Sequence, residues 1–128
     1  MREHELQKQI VDALKIAGFD VLETTAYRQK GSSGVDKGVP DLLVSHKVLP
    51  VTFLGIEVKQ PGHIKWSSLE QRELWERGRF HVAQSPVQAV EQSTKWLETF
   101  IQWPFQDIPA DDVRSAVGRA KRALEALR

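Results

Sequence analysis

Two short segments constrain this chain more than anything else in it: Val39-Pro40-Asp41-Leu42-Leu43-Val44 and Gly55-Ile56-Glu57-Val58-Lys59. Each reads as a β-strand. Leu42 to Val44 is an apolar run behind a proline, and Val51 to Lys59 is rich in Val, Phe, Ile and Thr. Lys47 to Pro50, between them, suits a chain reversal. If the strands pair antiparallel about a centre near Leu49, Asp41 faces Glu57. Side chains alternate across a strand, so Glu57 and Lys59 share one face while Ile56 and Val58 take the other. An Asp, a Glu and a Lys then form one polar patch of sheet with apolar residues behind it.

Such a patch is odd chemistry for a purely structural sheet. Directly opposed like charges destabilise a strand pair, and a divalent cation removes the repulsion. Mg²⁺ or Mn²⁺ takes an octahedron of oxygens, using one or two carboxylates and filling the rest with water and phosphate. A nearby lysine then sits beside that water or phosphate, where it lowers the water's pKa or offsets charge building up on phosphorus. The plain alternative is an exposed Glu–Lys pair on the polar face of an ordinary strand. Glu-x-Lys alone is common; the Pro-Asp at hairpin distance is what favours a site.

Composition excludes several classes. The chain has 128 residues, the size of one domain, and is 41% hydrophobic and 27% charged, as soluble globular proteins are. No apolar run approaches a membrane span, and Met1-Arg2-Glu3-His4-Glu5 is no signal peptide. With no cysteine there is neither a disulfide framework nor a thiolate zinc site, which is consistent with a cytoplasmic protein. Its 18 basic and 17 acidic residues nearly cancel, so only a clustered basic surface would mark a nucleic-acid partner.

Taken in order, Glu3 to Ala17 predicts a helix, with Leu6, Ile10, Ala13, Leu14 and Ala17 inward and Gly18 at its end. Glu3 lies at the end of the inward stripe, whereas Glu5 points to solvent with Gln9 and Asp12. Both also suit the positive end of the helix dipole. Phe19 to Tyr27 alternates as a strand. Residues 29–38 hold Gly31-Ser32-Ser33-Gly34 and read as a flexible loop, either a solvated connector or a basic loop that closes on a phosphate backbone through Arg28, Lys30 and Lys37. The loop is not a nucleotide-binding P-loop, because the Gly-x-x-x-x-Gly-Lys-Ser/Thr spacing is missing.

After the hairpin, Gln60-Pro61-Gly62-His63 is a turn. Ser67 and Glu70 read as a capping box opening a helix that runs to about Arg77, with Leu69 and Trp75 inward and Gln71 in its first turn. Trp75 is expected in the core rather than as a base-stacking platform. A short strand over 79–84 should set Phe80, Val82 and Gln84 against Arg79, His81 and Ala83. Ser85-Pro86 opens the next helix, with Val87, Val90, Leu97 and Ile101 inward. Two prolines make 103–110 a linker. Asp111 to Arg128 is a last amphipathic helix with Val113, Ala116, Val117, Ala120, Leu124 and Leu127 as its seam. It could pack on the domain, pair with a second copy through 111–127 and the tryptophans Trp96 and Trp103, or touch DNA through Arg114, Arg119, Lys121 and Arg122; packing ranks first. His4, His46, His63 and His81 lack ligand spacing and read as surface or loop residues, His63 nearest the proposed site.

The whole predicts an α/β (α+β) fold, with element order αβββαβ, a central mixed sheet covered by helices on both faces, and C-terminal helices. With a glutamate on the first helix, Pro-Asp before the second strand and Glu-x-Lys in the third, the chain resembles the PD-(D/E)xK nuclease superfamily. More narrowly it resembles the VRR-NUC group, through Gly-Val-Pro-Asp-Leu-Leu-Val, Ile-Glu-Val-Lys-Gln-Pro-Gly and a following helix beginning Leu-Glu-Gln. The resemblance covers roughly residues 1–92, inside a nuclease domain drawn at 1–102, with 103–128 as linker and terminal helix.

The resemblance implies a restriction-endonuclease-like core. Metal ligands would be Asp41, Glu57 and the Val58 carbonyl, helped by a helix-one glutamate best matched by Glu3, with Glu5 as fallback. Lys59 would be the catalytic lysine, and Gln71 would orient Lys59 or the attacking water. The basic residues Arg28, Lys30, Lys37 and Lys65 are the expected nucleic-acid contacts. The implied activity is Mg²⁺- or Mn²⁺-dependent hydrolysis of DNA phosphodiesters, often in branched DNA such as a Holliday junction, during repair, recombination or phage DNA processing. One site per domain makes a homodimer the economical way to cut two strands. The competing readings are a non-catalytic DNA-binding module and a protein-interaction adaptor on the same fold.

Overall fold

The central hairpin has the expected register. β2 (Leu42–Ser45) and β3 (Leu54–Val58) run antiparallel, with Leu42 opposite Ile56, Leu43 opposite Gly55 and Val44 opposite Leu54. One step further along this register, Asp41 meets Glu57. The computed structural model describes residues 2–24, 39–49, 52–66, 68–102 and 108–128. β3 begins later than the expected strand, because Thr52 and Phe53 are outside the ladder and Val51 is outside the described residues.

β1 (Asp20–Glu23) joins the free edge of β2 antiparallel, and β4 (His81–Ala83) joins β3 parallel, giving the order β1-β2-β3-β4. Parallel neighbours need a crossover, and α2 (Leu69–Glu76) lies within it. With α1 (Glu3–Ile16), α3 (Pro86–Gln102) and α4 (Ala110–Leu127), the fold is α+β, and the described residues form a mixed four-stranded sheet with four helices. The last three residues of the expected 19–27 strand lie outside the described residues.

Hydrophobic periodicity decides the core. On α1, Leu6, Ile10, Ala13, Leu14 and Ala17 are all buried, and the helix stops at Gly18, whose φ of 102° disfavours any other residue. They meet Leu42, Val44, Leu54, Ile56 and Val58 of the sheet and Val90 and Leu97 of α3. Each such side chain contributes about 1.5–3 kcal/mol by leaving water. α1 and α3 also pack on each other, so both cover the same sheet face. The other face carries half-buried Leu43 and exposed Leu22 and Phe53, and over β3 it meets α2, whose buried Gln71 bonds to Glu57.

α2 corrects three expectations. Its N-cap is Ser68, whose hydroxyl accepts the Gln71 N–H at 3.1 Å; Ser67 lies outside the described residues. Leu69 and Trp75 do not face inward, being 67% and 38% exposed. Six residues apart, they lie about 240° around a helix and cannot share a face. Gln71 is the buried residue of this helix. Beyond it, β4 is shorter than the expected strand: Phe80 precedes it, and both Phe80 and Ala83 are buried, which breaks the expected alternation.

The end of the chain packs on its own domain. α4 lies along α3 with Val113, Ala116, Val117, Ala120 and Leu124 buried, while Leu127 is 40% exposed at the last turn. Trp96 is half-buried and edge-on to Phe100, so it is core rather than an exposed interface residue; Trp103 is outside the described residues. Among the described residues no helix is long and apolar enough to cross a membrane.

Candidate metal and phosphate site

Asp41 and Glu57 are tied together by a reciprocal pair of backbone bonds. The Val58 N–H donates to Asp41 Oδ2 at 2.9 Å, and the Asp41 N–H donates to Glu57 Oε1 at 3.0 Å. The Glu57 carboxylate therefore fixes the Asp41 main chain and the Asp41 carboxylate fixes that of Val58, the residue after Glu57; both acids are buried, at 6% and 4% exposure. The site sits where β2 begins, so Asp41 is held from both neighbours. Thr24, just beyond β1, donates its N–H to the Asp41 carbonyl at 2.9 Å and its hydroxyl to the Pro40 carbonyl at 2.6 Å. Pro40 lies against Gly55, where a Cβ would stand 2.9 Å from Pro40 Cγ and 3.1 Å from Phe80 Cβ. Glycine in the middle of β3 is thus what lets the Pro-Asp segment approach the sheet.

Lys59 follows β3 on the same side as Glu57, as alternation requires. Its Nζ stands 3.4 Å from Glu57 Oε2 and 5.5 Å from the centroid of the Trp66 ring, and the residue is 8% exposed. A lysine is seldom this buried unless its charge is met; here a carboxylate and an aromatic face meet it. Gln71 Nε2 donates to Glu57 Oε2 at 2.7 Å, the oxygen that Lys59 also approaches, so it helps hold the glutamate beside the lysine. Burial, and then the adjacent Asp41 charge, push the Glu57 carboxyl up from 4.5 to about 7, with Lys59 acting in the opposite direction.

Two clefts border the site, one reaching Asp41 and the other Lys59. One, of about 780 Å³, runs along α1 and is lined by Glu3, Gln7, Glu23 and Asp41 among others. The second, of about 170 Å³, is lined by Glu3, Lys59, Gln60, Pro61, His63 and Lys65. Glu3 borders both, whereas Glu5 turns back to accept the Arg2 N–H at 3.4 Å at the start of its own helix. Of the two glutamates, Glu3 is the one that lines these clefts. Lys65 and His63 lie in the cleft of Lys59; Arg28, Lys30 and Lys37 fall outside the described residues.

Two residues were not singled out from sequence, one beside the site and one at the far end of β2. Glu23 ends β1 opposite Leu42, lines the larger cleft with Asp41 and Glu3, and accepts from Gln7 Nε2 at 3.2 Å. Its only sequence signal is an acid ending an alternating strand. His46, taken as a surface or loop residue, is buried at 5% exposure, edge-on to Phe19 at 5.5 Å, with Nδ1 accepting the Val48 N–H. Burial holds its imidazole below the ordinary value of 6.5.

Among the described residues no three His, Asp or Glu side chains converge as a ready-made metal cage. Magnesium and manganese do not need one: one or two carboxylates suffice, with water and phosphate completing the octahedron. Asp41 and Glu57 supply two carboxylates, and their mutual repulsion in a buried setting is what a cation would relieve. The donor set fits. Comparison of the chain with protein-family models, with curated proteins and with solved structures finds no match.

Proposed function

We propose that this protein is a divalent-metal-dependent DNA endonuclease of the PD-(D/E)xK type, with a VRR-NUC-like, restriction-endonuclease-like core, acting on structured or branched DNA. One observation carries the reading: two buried carboxylates locked side by side, with a lysine ammonium 3.4 Å from one of them, opening onto clefts bordered by Glu3 and Lys65. Asp41 and Glu57 would hold Mg²⁺ or Mn²⁺, with the Val58 carbonyl and Glu3 as the further ligands that the resemblance implies. A bound ion would supply Lewis acidity to the scissile phosphate and a more acidic water.

The chain's own groups do the rest. The Lys59 ammonium offsets the negative charge that grows on phosphorus as water attacks in line. Its burial against Trp66 keeps that charge aimed rather than solvated. Gln71 keeps Glu57 in one rotamer, and Thr24 and Pro40 keep Asp41 in register. Hydrolysis would leave a 5′ phosphate and a 3′ hydroxyl. Two such sites in a homodimer would cut both strands of a junction.

The test is cleavage of a four-way junction, a linear duplex and single-stranded DNA with Mg²⁺, Mn²⁺ or EDTA. Asp41→Ala, Glu57→Ala and Lys59→Ala should each lose at least ~100-fold in rate while keeping most DNA affinity, which phosphate contacts dominate. A variant lacking either carboxylate that still cuts at full rate would sink the assignment. A second reading, a non-catalytic DNA-binding module, draws on the fact that both carboxylates already accept backbone N–H bonds. It predicts binding of the junction with no cleavage at any metal concentration.

A further inference from the structure

The aromatic residues beside Lys59 do not end in the core. Trp66 lies under the Lys59 ammonium and packs on Trp75, ring centroids 5.2 Å apart, with Phe80 closing the far side at 6.3 Å. Trp75 is 38% exposed, and its ring is one wall of a separate cleft of about 390 Å³ between the end of α2, the outer edge of β4 and the start of α3. A wall of this kind is expensive to leave in water unless something covers it.

Three glutamines line it too, Gln84 just beyond β4 and Gln88 and Gln92 one turn apart on α3, together with His81 and Glu91. Each glutamine is half committed to the protein. Gln84 Nε2 donates to the carbonyls of Gln60 and Gly62, Gln88 Oε1 accepts the Gln84 N–H at 2.7 Å, and Gln92 Nε2 donates to the Val82 carbonyl at 2.8 Å. These bonds fix the amides in place and, among the described residues, leave Gln84 Oε1 and Gln88 Nε2 as an acceptor and a donor for a ligand. Gln92 Oε1 is buried with no partner, an acceptor such interiors rarely leave unmet. Among the described residues no Lys or Arg lines the cleft, and its one carboxylate, Glu91, is paired with Lys95 and Arg128. The chemistry offered is one aromatic face with amide donors and acceptors, an imidazole and a carboxylate, which suits the face and edge of a nucleobase and not a phosphate.

We propose that this cleft is a nucleobase subsite: Trp75 stacks an unpaired base of the DNA strand whose backbone runs past Lys59 and Lys65, and the glutamine amides meet that base's edge. The proposal rests on the nuclease reading for its substrate and adds that unpaired nucleotides beside the cut are part of what is recognised. A paired base cannot enter, since its edge is occupied and its faces are stacked.

The test uses the full chain in EDTA, so that no cleavage is read. Fluorescence anisotropy measures binding of a labelled single strand, the same strand with abasic positions, and a duplex. Base stacking on an aromatic side chain accounts for about tenfold in affinity. The wild type should bind the normal strand about tenfold more tightly than the abasic strand. Trp75→Ala should lose that preference while binding the duplex as before, and Trp75→Phe should restore most of it. Equal wild-type affinity for normal and abasic strands overturns the proposal, as does a Trp75→Ala variant that keeps the preference or weakens every probe alike. Saturation by deoxyadenosine monophosphate with no preference between the strands would instead make this a free-nucleotide site, and the strand assignment would fall. Failure of the nuclease reading shows separately: no metal-dependent cutting of any DNA, with the abasic preference intact. Cutting that depends on Lys59, with no abasic preference, removes the subsite alone.

Discussion

Replacing Glu57 by Gln should make the metal-free protein more stable at pH 8 while removing its response to divalent metal. The carboxyl is buried against Asp41, and its ionisation is pushed up from 4.5 to about 7. For an acid whose folded value is raised, the folded state disfavours the charged form. Stability is therefore reduced above pH 7 and recovers as pH falls from about 7 towards 4.5. At ~1.4 kcal/mol for each tenfold in proton affinity, moving the carboxyl from 4.5 to about 7 gives an upper figure near 3 kcal/mol, and on the order of 2–3 kcal/mol is a working value.

Glutamine keeps the shape and one oxygen for the Asp41 N–H, and Gln71 can rotate its amide to face the new NH₂ group. With ~0.27 kcal/mol/K of unfolding entropy for 128 residues, the gain is about 8–10 °C in Tm. Thermal melts of wild type and Glu57→Gln in EDTA at pH 8 and pH 5 read it directly. The difference should be large at pH 8 and shrink towards zero at pH 5, where the wild-type carboxyl is protonated. Mg²⁺ or Mn²⁺ should raise the wild-type Tm at pH 8 and leave the variant unmoved. An equal or lower Tm for the variant in EDTA at pH 8, or a pH-independent difference, would refute the reasoning.

Three further perturbations probe other parts of the argument. Gly55→Ala should cost about 1–3 kcal/mol in urea melts and weaken metal-dependent stabilisation, because its Cβ drives Pro40 off the strand and Asp41 with it; a loss under ~0.5 kcal/mol with unchanged metal response would show that Pro40 yields freely. His46 works opposite in sign to Glu57: its folded value lies below 6.5, so its contribution is complete above about pH 6.5 and is lost as pH falls through the lowered value. His46→Asn in the Glu57→Gln background should flatten stability between pH 7 and 5, and a slope persisting in that double variant would place its source elsewhere. Val117→Asp should destabilise by ~3 kcal/mol or more, since Val117 is buried in the α4 seam; a folded monomer derived from a wild-type dimer, seen by light scattering, would show that this seam is an interface between copies.

What was legible in the sequence followed from local periodicity and from one register. The α1 stripe and the α3 and α4 seams could be read because residues three and four apart must share a helix face. The Asp41–Glu57 meeting could be read because the turn fixes which residues oppose, and a slip of one would have put Ile56 and Val58 into water. The failures share a cause: they depend on contacts between segments distant in the chain. Trp75 reads as core by composition but packs on Trp66, which approaches from the turn before α2. His46 carries no local signal, since Phe19 and the turn bury it from elsewhere. Gln71 was picked out as a site residue, yet only the packed structure shows which atom it holds.

The site is built in a way that separates its two tasks. Asp41 and Glu57 are positioned by main-chain N–H groups, Thr24 and the Pro40–Gly55 contact, none of which is charged. The charges are set by what surrounds them, namely burial, one another and Lys59. Because position does not depend on the ion pair, a carboxylate can be neutralised by a proton or, on the proposed reading, by a cation without the strands shifting. A site that relied on the Lys59–Glu57 attraction for its shape would lose that shape whenever either charge was compensated, and Lys59 could not then turn its charge towards a phosphate. The backbone clamp is what would leave Lys59 free to change partners.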